Sequence, residues 1–187
     1  YDDKILDIQH NLFFEKILYE VLVPMLRSII EMQLKNNAEI VYMFDTNAKQ
    51  MNSDYFVENY FPKLKSQIFD FFPQKIAYFS KNNILVKDPK NIVKNNLAGM
   101  VYNEAEGMSE CLAKTDGGFL QGNFSPNSLL QPKSDFILDL DEFINEFKKL
   151  SQKERSGWVC SLNHGVLPKS KEENVKYFIY RVRSEFK

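Results

Sequence analysis

The chain has 187 residues and a formal net charge of −1, so its composition favours neither nucleic-acid binding through phosphate neutralisation nor membrane attachment through a basic patch. Its hydrophobic fraction of 44% is too high for a disordered segment and is typical of a globular domain. The longest apolar stretch, residues 17–30, is interrupted by Glu20, Pro24 and Arg27 and is too short for a membrane span.

Five short apolar runs predict buried strands, because each lacks the strict alternation of a half-exposed strand. They are residues 39–44, 75–80, 97–102, 118–121 and 158–162. Between them, helical spacing of apolar residues predicts helices within 18–32, 54–72, 104–113 and 135–150, with an uncertain segment at 87–95. A last helix carries an apolar face along residues 175–186.

Several residues predict where these helices begin or break. Pro24 and Pro62 should kink or restart their helices, because proline lacks the N–H that an interior position needs. Ser134 is the expected N-cap of the helix near residue 135. Ser170 and Glu173 have the Ser-x-x-Glu spacing of a capping box before the last helix.

The alternation of strands and helices predicts an α/β fold of parallel strands joined by right-handed crossovers. Periodicity alone leaves two architectures open, an open doubly wound sheet and part of an eight-stranded barrel. Polar loops follow most of the strands, where α/β folds place their sites. Among them, His164 could act as a hydrogen-bonding or titrating site residue or be a packed histidine at a strand end. His10 is expected at the surface.

Two cysteines, Cys111 and Cys160, are too few for a disulfide framework and indicate a reducing, cytoplasmic environment. Cys160 is expected to be a buried thiol. The spacing of the cysteines and His164 matches no common zinc site, so no metal is predicted. The chain begins without Met and without an apolar signal segment, and we expect a processed product or a piece of a longer protein.

Four segments of the chain carry the motifs of a known family. Residues 119–126 read Phe-Leu-Gln-Gly-Asn-Phe-Ser-Pro, and residues 161–168 read Ser-Leu-Asn-His-Gly-Val-Leu-Pro. They resemble the Leu-Gln-Gly-Asn-Leu-Asp-Pro and Asn-Leu-Gly-His-Gly-Ile/Leu-Leu-Pro segments of the uroporphyrinogen decarboxylase family. Upstream, residues 43–48 resemble its Phe-Asp/Glu-Ser/Thr-x-Ala, and residues 77–81 resemble its Phe-Ala/Ser-Lys strand end. The similarity extends from about residue 18 to residue 186.

The resemblance implies a (β/α)₈ barrel of which residues 1–187 are the C-terminal half, with the N-terminal half absent. It implies a carboxy-lyase that converts uroporphyrinogen III to coproporphyrinogen III in haem biosynthesis without a cofactor. Thr46 falls on the family's substrate-binding Ser/Thr position, and His164 falls on its active-site histidine, with expected catalytic and substrate-binding roles.

The same comparison shows departures from the family pattern. Asn163 replaces the glycine before the histidine, Val101 replaces the aspartate of an Asp-Trp pair, and Ser125 replaces the aspartate of Leu-Asp-Pro. The family's N-terminal arginines, the aspartate that holds the pyrrole nitrogens and the active-site tyrosine have no counterpart. We therefore expect this chain to be inactive alone.

Two other interpretations remain to be weighed. A half-barrel without catalysis could persist as an interaction or assembly subunit. Corrinoid and thiol methyltransferases share the decarboxylase barrel, but they carry a zinc-binding His-x-Cys pair, whereas His164 is followed by Gly165 and Val166. The expected partners are a porphyrinogen substrate and either a second copy of the chain or a complementary N-terminal half, with neither nucleic acid nor membrane.

Overall fold

A computed structural model describes residues 12–81, 85, 88, 90–102, 104 and 107–187. The predicted surface position of His10 lies outside the described residues. The chain divides into two compact units, Tyr1–Met100 and Val101–Lys187. No described helix combines the length and apolar character that crossing a bilayer requires.

The first unit alternates strands with helical segments. Its strands are β1 (Val41–Asp45), β2 (Ile76–Ser80) and the beginning of β3 (Gly99–Val101). Before β1, helix α1 (Leu12–Ile17) continues through a π-helical turn (Leu18–Leu22) into α2 (Val23–Lys35). Between β1 and β2 lie a 3₁₀ turn (Ala48–Gln50), α3 (Ser53–Tyr55), a π turn (Phe56–Tyr60), α4 (Phe61–Leu64) and a second π turn (Lys65–Phe69). Helix α5 (Asn91–Lys94) precedes β3, so the uncertain segment is helical there.

Proline restarts two of these helices, as predicted. Pro24 lies in the first turn of α2 and Pro62 in the first turn of α4. Each proline follows a π turn, where the α-helical hydrogen-bond pattern is already interrupted, so its missing N–H breaks no regular α-helical ladder.

The second unit contains the end of β3, then β4 (Phe119–Phe124) and β5 (Trp158–Leu162). Its helices are α6 (Met108–Ala113), a 3₁₀ segment (Pro126–Leu130), α7 (Lys133–Lys148), α8 (Gln152–Arg155) and α9 (Glu172–Glu185). Strand β4 is longer at its carboxyl end than the predicted 118–121, because Gly122 and Asn123 interrupt the apolar pattern although they remain in the strand.

The strands pair in parallel, as predicted. β1 pairs with β2 from Val41↔Ile76 to Asp45↔Ser80, β2 pairs with β3, and β4 pairs with β5. In the second unit, the Tyr102 N–H donates to the Gln121 carbonyl (2.7 Å), so the end of β3 runs beside β4. The five described strands therefore follow one another in chain order in the sheet. A doubly wound sheet reverses its strand order at a switch point, whereas this order has no reversal and suits part of a barrel.

Aromatic side chains from the helical segments cover one face of the strands in each unit. In the first unit, the Tyr78 ring lies 5.6 Å from Phe61 and 5.5 Å from Phe69, measured between ring centroids. In the second unit, Trp158 stacks on Phe147 at 3.9 Å, and the indole N–H donates to the Gly122 carbonyl (3.0 Å). These contacts bury large apolar areas and fix the helices against the strands.

One predicted apolar face is exposed rather than buried. On the helix that begins near residue 18, Val21, Met25, Ile29 and Met32 are exposed, while the buried side chains are Val23 and Ile30. Helix α2 is apolar on two sides, and periodicity cannot indicate which side meets the strands.

Two predicted N-caps are wrong. Helix α7 begins at Lys133 with Pro132 at its N-cap, and the Ser134 hydroxyl instead donates to Asp135. Helix α9 begins at Glu172 after Lys171, which makes no side-chain cap.

The capping box lies elsewhere, at the start of α8. The Ser151 hydroxyl accepts from the Glu154 N–H (3.3 Å), and the Glu154 carboxylate accepts from the Ser151 N–H (2.7 Å). The helix predicted from residue 104 is described only from Met108, after Gly107, which has a left-handed φ of +84°.

Gly122 is required by close packing of the backbone. Its φ is +145°, and a Cβ at this position would lie far inside van der Waals contact of the Tyr102 carbonyl oxygen. We expect Gly122→Ala to lower the free energy of unfolding by about 2–4 kcal/mol, because strain and overpacking act together.

Gly165→Ala is the matched control, because a Cβ there meets no atom within 4 Å. It should change the free energy of unfolding by less than about 0.5 kcal/mol. Urea denaturation followed by circular dichroism measures both variants, and equal stabilities for the two would contradict the packing argument.

Candidate active site

A partly buried carboxylate, that of Asp45, lies at the carboxyl end of β1. The Asp45 Oδ2 atom accepts hydrogen bonds from the hydroxyls of Tyr60 (2.9 Å) and Tyr78 (2.7 Å). The backbone N–H of Ala48 also interacts with the Asp45 side chain. Burial raises the pKa of Asp45, and the two hydroxyls and the Ala48 N–H offset part of that rise.

Thr46 lies in the turn that this carboxylate holds. Thr46 and Asn47 are exposed, and Ala48 is fully buried at the start of the 3₁₀ turn. The threonine hydroxyl thus stands in an exposed turn directly after a parallel strand, the position that α/β folds use for binding.

His164 lies in the corresponding position of the second unit, two residues after the end of β5. The Asn163 N–H donates to the Phe124 carbonyl (3.0 Å), which continues the pairing of β4 with β5 past the last strand residue. His164 itself is exposed, as is Gly165. Within the described chain the His164 side chain is therefore not packed at its strand end, and its role in a site stays a prediction. Thr46 belongs to the first unit and His164 to the second.

A third polar group ends β4 in the second unit. Asn123 is only 6% exposed, and its side-chain amide donates to the Glu104 carbonyl (3.1 Å). Ser125 follows and caps the next 3₁₀ segment by accepting from the Asn127 N–H. The segment 119–126 thus ends in a strand terminus fixed by its own polar side chains.

A cleft of about 250 Å³ beside this terminus is acidic. It is lined in part by Asp139 and Glu146 of α7, which accept hydrogen bonds of 2.5 Å from the hydroxyls of Ser128 and Ser109. Glu142 lines the same cleft. Its negative lining opposes the binding of an anionic ligand.

Comparison with known proteins places this arrangement in a family. A sequence model described as uroporphyrinogen decarboxylase (URO-D) matches residues 10–185. The uroporphyrinogen decarboxylase of Campylobacter lari is 29% identical over 186 residues, which cover 96% of this chain and 51% of the relative. Those of Prochlorococcus marinus subsp. pastoris and a Hydrogenobaculum species are 26% and 25% identical, covering 87% and 89% of this chain and 47% of each relative.

The chain belongs to the uroporphyrinogen decarboxylase family. It spans about half the length of the relatives it matches. The segments that carry Thr46 and His164 both fall within the matched residues.

The arginines of this uroporphyrinogen decarboxylase homologue all lie in helices. The Arg27 guanidinium lies 3.4 Å from the Phe71 ring centroid, and Arg155 donates to the carbonyls of Phe147 and Leu150. Arg181 binds the Asp141 carboxylate (2.7 Å). The fourth, Arg183, is exposed on α9. Three of the four are therefore engaged in contacts that stabilise their own unit.

Neither cysteine is placed as a metal ligand. Both are thiols, and burial raises the pKa of Cys160 to about 12 although the residue is not fully buried. Within the part of the chain that the structure describes, no three His, Cys, Asp or Glu side chains are grouped to hold a metal ion.

Sequence patterns did not reveal the partners of Asp45. Tyr60 and Tyr78 sit within apolar runs, and a buried tyrosine needs a hydrogen-bond acceptor. The need of a buried tyrosine for an acceptor was the one feature of the sequence that could have pointed to this contact. The acceptor itself lies 15 and 33 residues away along the chain, so only the fold identifies it.

The raised pKa of Asp45 predicts a pH-dependent stability. A carboxyl group whose pKa is raised by folding holds its proton more tightly in the folded state, so its ionisation costs stability as the pH rises from its ordinary value of 3.8 through the folded value. The free energy of unfolding of the wild type, relative to Asp45→Asn, should therefore fall over this interval.

Asp70→Asn is the control of opposite sign. The hydrogen bond from Lys65 lowers the pKa of Asp70, so the wild type should gain stability relative to this variant as the pH rises through that group's titration. Urea unfolding between pH 3 and 7 measures both differences. Trends of the same sign for the two variants would contradict the assignment.

Proposed function

We propose that residues 1–187 act as the C-terminal half of a uroporphyrinogen decarboxylase barrel, which converts uroporphyrinogen III to coproporphyrinogen III in haem biosynthesis. The observation that carries the proposal is the position of Thr46 and His164, each exposed within two residues of the end of a parallel strand in a family-matched segment. The two cysteines, too few for a disulfide framework, support a reducing, cytoplasmic location.

The proposed reaction requires these two side chains to donate hydrogen bonds to the substrate or, for His164, to transfer a proton. Decarboxylation of a pyrrole acetate proceeds through protonation of the ring and loss of carbon dioxide from the cationic intermediate. The His164 imidazole can hold a substrate carboxylate by hydrogen bonding or deliver a proton. The Thr46 hydroxyl can donate a hydrogen bond to a carboxylate.

The charge distribution of the described residues supports the proposal that activity requires a complementary half. Uroporphyrinogen carries eight carboxylates, and binding them requires fixed cations and backbone donors. All four arginines lie in helices, and the cleft beside β4 is acidic. We infer that a complementary N-terminal half supplies the missing cations and the carboxylate that stabilises the cationic ring.

The free edge of β1 supports such a partner. β1 is at one end of the strand order of the described residues, and Tyr42 and Phe44 lie on its face away from Asp45. Phe44 is 67% exposed. An edge strand with exposed aromatic residues is suited to pairing with another strand. A second copy of the chain, forming a homodimer, is the competing occupant.

We expect no measurable decarboxylation of uroporphyrinogen by the isolated 187-residue chain. Co-expression with the part of the Campylobacter lari relative that lies outside the match should restore turnover, because it supplies the missing half. The measurement is the loss of carboxylates, followed by chromatography of the oxidised porphyrins in an expression host that lacks its own enzyme.

Three outcomes distinguish the interpretations. Turnover by the isolated chain would show that the catalytic groups lie within it. A stable complex without turnover would favour the non-catalytic assembly subunit. A well-behaved monomer that binds neither the added half nor a second copy would contradict the half-barrel.

In the active assembly, His164→Asn should lower the rate by roughly 10²-fold if the imidazole transfers a proton, within the range for positioned acid–base groups. A smaller loss, with accumulation of partly decarboxylated porphyrins, would indicate carboxylate binding alone. Either result would support a role of His164 in the site. Wild-type kinetics of His164→Asn would contradict that role.

Thr46→Val removes the hydroxyl and keeps the side-chain shape, so it should raise KM more than it lowers kcat. Thr115→Val is the matched control, because Thr115 precedes β4 and its hydroxyl donates to the Cys111 carbonyl (3.0 Å). Equal KM values for the two variants would remove Thr46 from the site.

A further inference from the structure

The Asp45 carboxylate joins three separate parts of the first unit. Its Oδ2 atom accepts from Tyr60, at the end of a π turn, and from Tyr78, in the neighbouring strand. The N–H of Ala48, three residues along its own chain, also interacts with this carboxylate. The side chain therefore connects the helical layer and β2 to the turn that follows β1.

Both tyrosines are rigid anchors. Tyr78 is fully buried and Tyr60 is 6% exposed. The Tyr78 ring packs against both Phe61 and Phe69, and the Tyr60 ring lies 5.8 Å from that of Phe56. Because neither phenol can move without disturbing this packing, their hydroxyls fix the position of the carboxylate.

The turn is held at both ends. Asp45 is the last residue of β1, paired opposite Ser80, and Ala48 is fully buried at the start of the 3₁₀ turn. The Gln50 N–H donates to the Asn47 carbonyl (2.9 Å), which continues the turn. Only Thr46 and Asn47 lie between the two fixed points.

A contribution to the stability of the fold does not by itself explain why position 45 carries a carboxylate. Burying a carboxylate costs free energy, and apolar replacements of buried charged groups are often neutral or stabilising. What an apolar side chain cannot do is accept hydrogen bonds from two hydroxyls and a backbone N–H at once. These contacts join the turn that carries Thr46 to two fixed side chains.

We propose that Asp45 is a positioning residue, which presents the Thr46 hydroxyl to substrate by tying the Ala48 N–H to the hydroxyls of Tyr60 and Tyr78. The inference rests on the proposed function for the substrate contact of Thr46. The hold of Asp45 on the turn does not depend on that function, so the two can fail separately.

Amide hydrogen exchange in the 187-residue chain tests the hold on the turn. Asp45→Asn leaves one amide oxygen, with two lone pairs, for three donors. The exchange of the Ala48 amide should accelerate at least about tenfold, as expected when a hydrogen bond to a charged group is lost. Asp70→Asn is the matched control, because Asp70 binds Lys65 and Asn96 away from the turn, and it should leave Ala48 unchanged.

Tyr78→Phe and Tyr60→Phe keep the test decisive if Asp45→Asn does not fold. Each removes one hydroxyl and keeps the ring, and each should accelerate Ala48 exchange by about threefold or more. Unchanged exchange of Ala48 in the folded variants would overturn the proposal.

A double-mutant cycle tests whether the turn serves the ligand. Uroporphyrin I is the probe, and its affinity for the co-expressed assembly is measured by fluorescence for the wild type, Asp45→Asn, Thr46→Val and the double variant. If Asp45 acts through Thr46, the double variant should bind no more weakly than Thr46→Val, within about twofold. If the losses of affinity in the two single variants instead multiply in the double variant, Asp45 does not act through Thr46, and the proposal is overturned.

The outcomes separate this inference from the proposed function. An assembly that fails to bind uroporphyrin I, while Ala48 exchange accelerates as expected, would contradict the proposed substrate and leave Asp45 holding the turn. Uroporphyrin binding with normal Ala48 exchange in Asp45→Asn would support the substrate and contradict the positioning role.

Discussion

Parallel pairing of the strands is the constraint from which the other features follow. Because neighbouring strands run in the same direction, each return of the chain must pass through a crossover, and helical segments occupy these connections in both units. The carboxyl ends of paired strands then meet at the same edge. Asp45 lies opposite Ser80 in the first unit, and Phe124 opposite Leu162 in the second. The turns that carry Thr46 and His164 begin at these ends.

The packing that stabilises the first unit also fixes its candidate site. Tyr78 contributes its ring to the aromatic layer under α4 and its hydroxyl to Asp45. Tyr60 does the same from the helical side. A tyrosine can serve both purposes because one end is apolar and the other is a hydrogen-bond donor. Stability and site geometry in this unit therefore cannot be altered independently.

The described residues provide hydrogen-bond donors at the strand ends, whereas the proposed reaction also requires cations. The exposed groups at the strand ends, Thr46 and His164, can donate hydrogen bonds, but three of the four arginines are engaged within helices. A substrate rich in carboxylates needs cations in fixed positions. The relatives are about twice as long as this chain, and their remaining half is where we expect those cations to reside.

Local signals in the sequence determined the alternation of strands and helices, the restarts at Pro24 and Pro62, and the polar turns after the strands, because each depends on residues close together in the chain. The family resemblance further marked Thr46 and His164. Only the tertiary structure decided which face of α2 is buried, that the capping box belongs to Ser151 rather than Ser170, and that His164 is exposed. It alone joined Asp45 to Tyr60 and Tyr78. Such choices depend on contacts between residues far apart in the chain, where several local patterns are equally apolar or equally able to cap, and packing selects one.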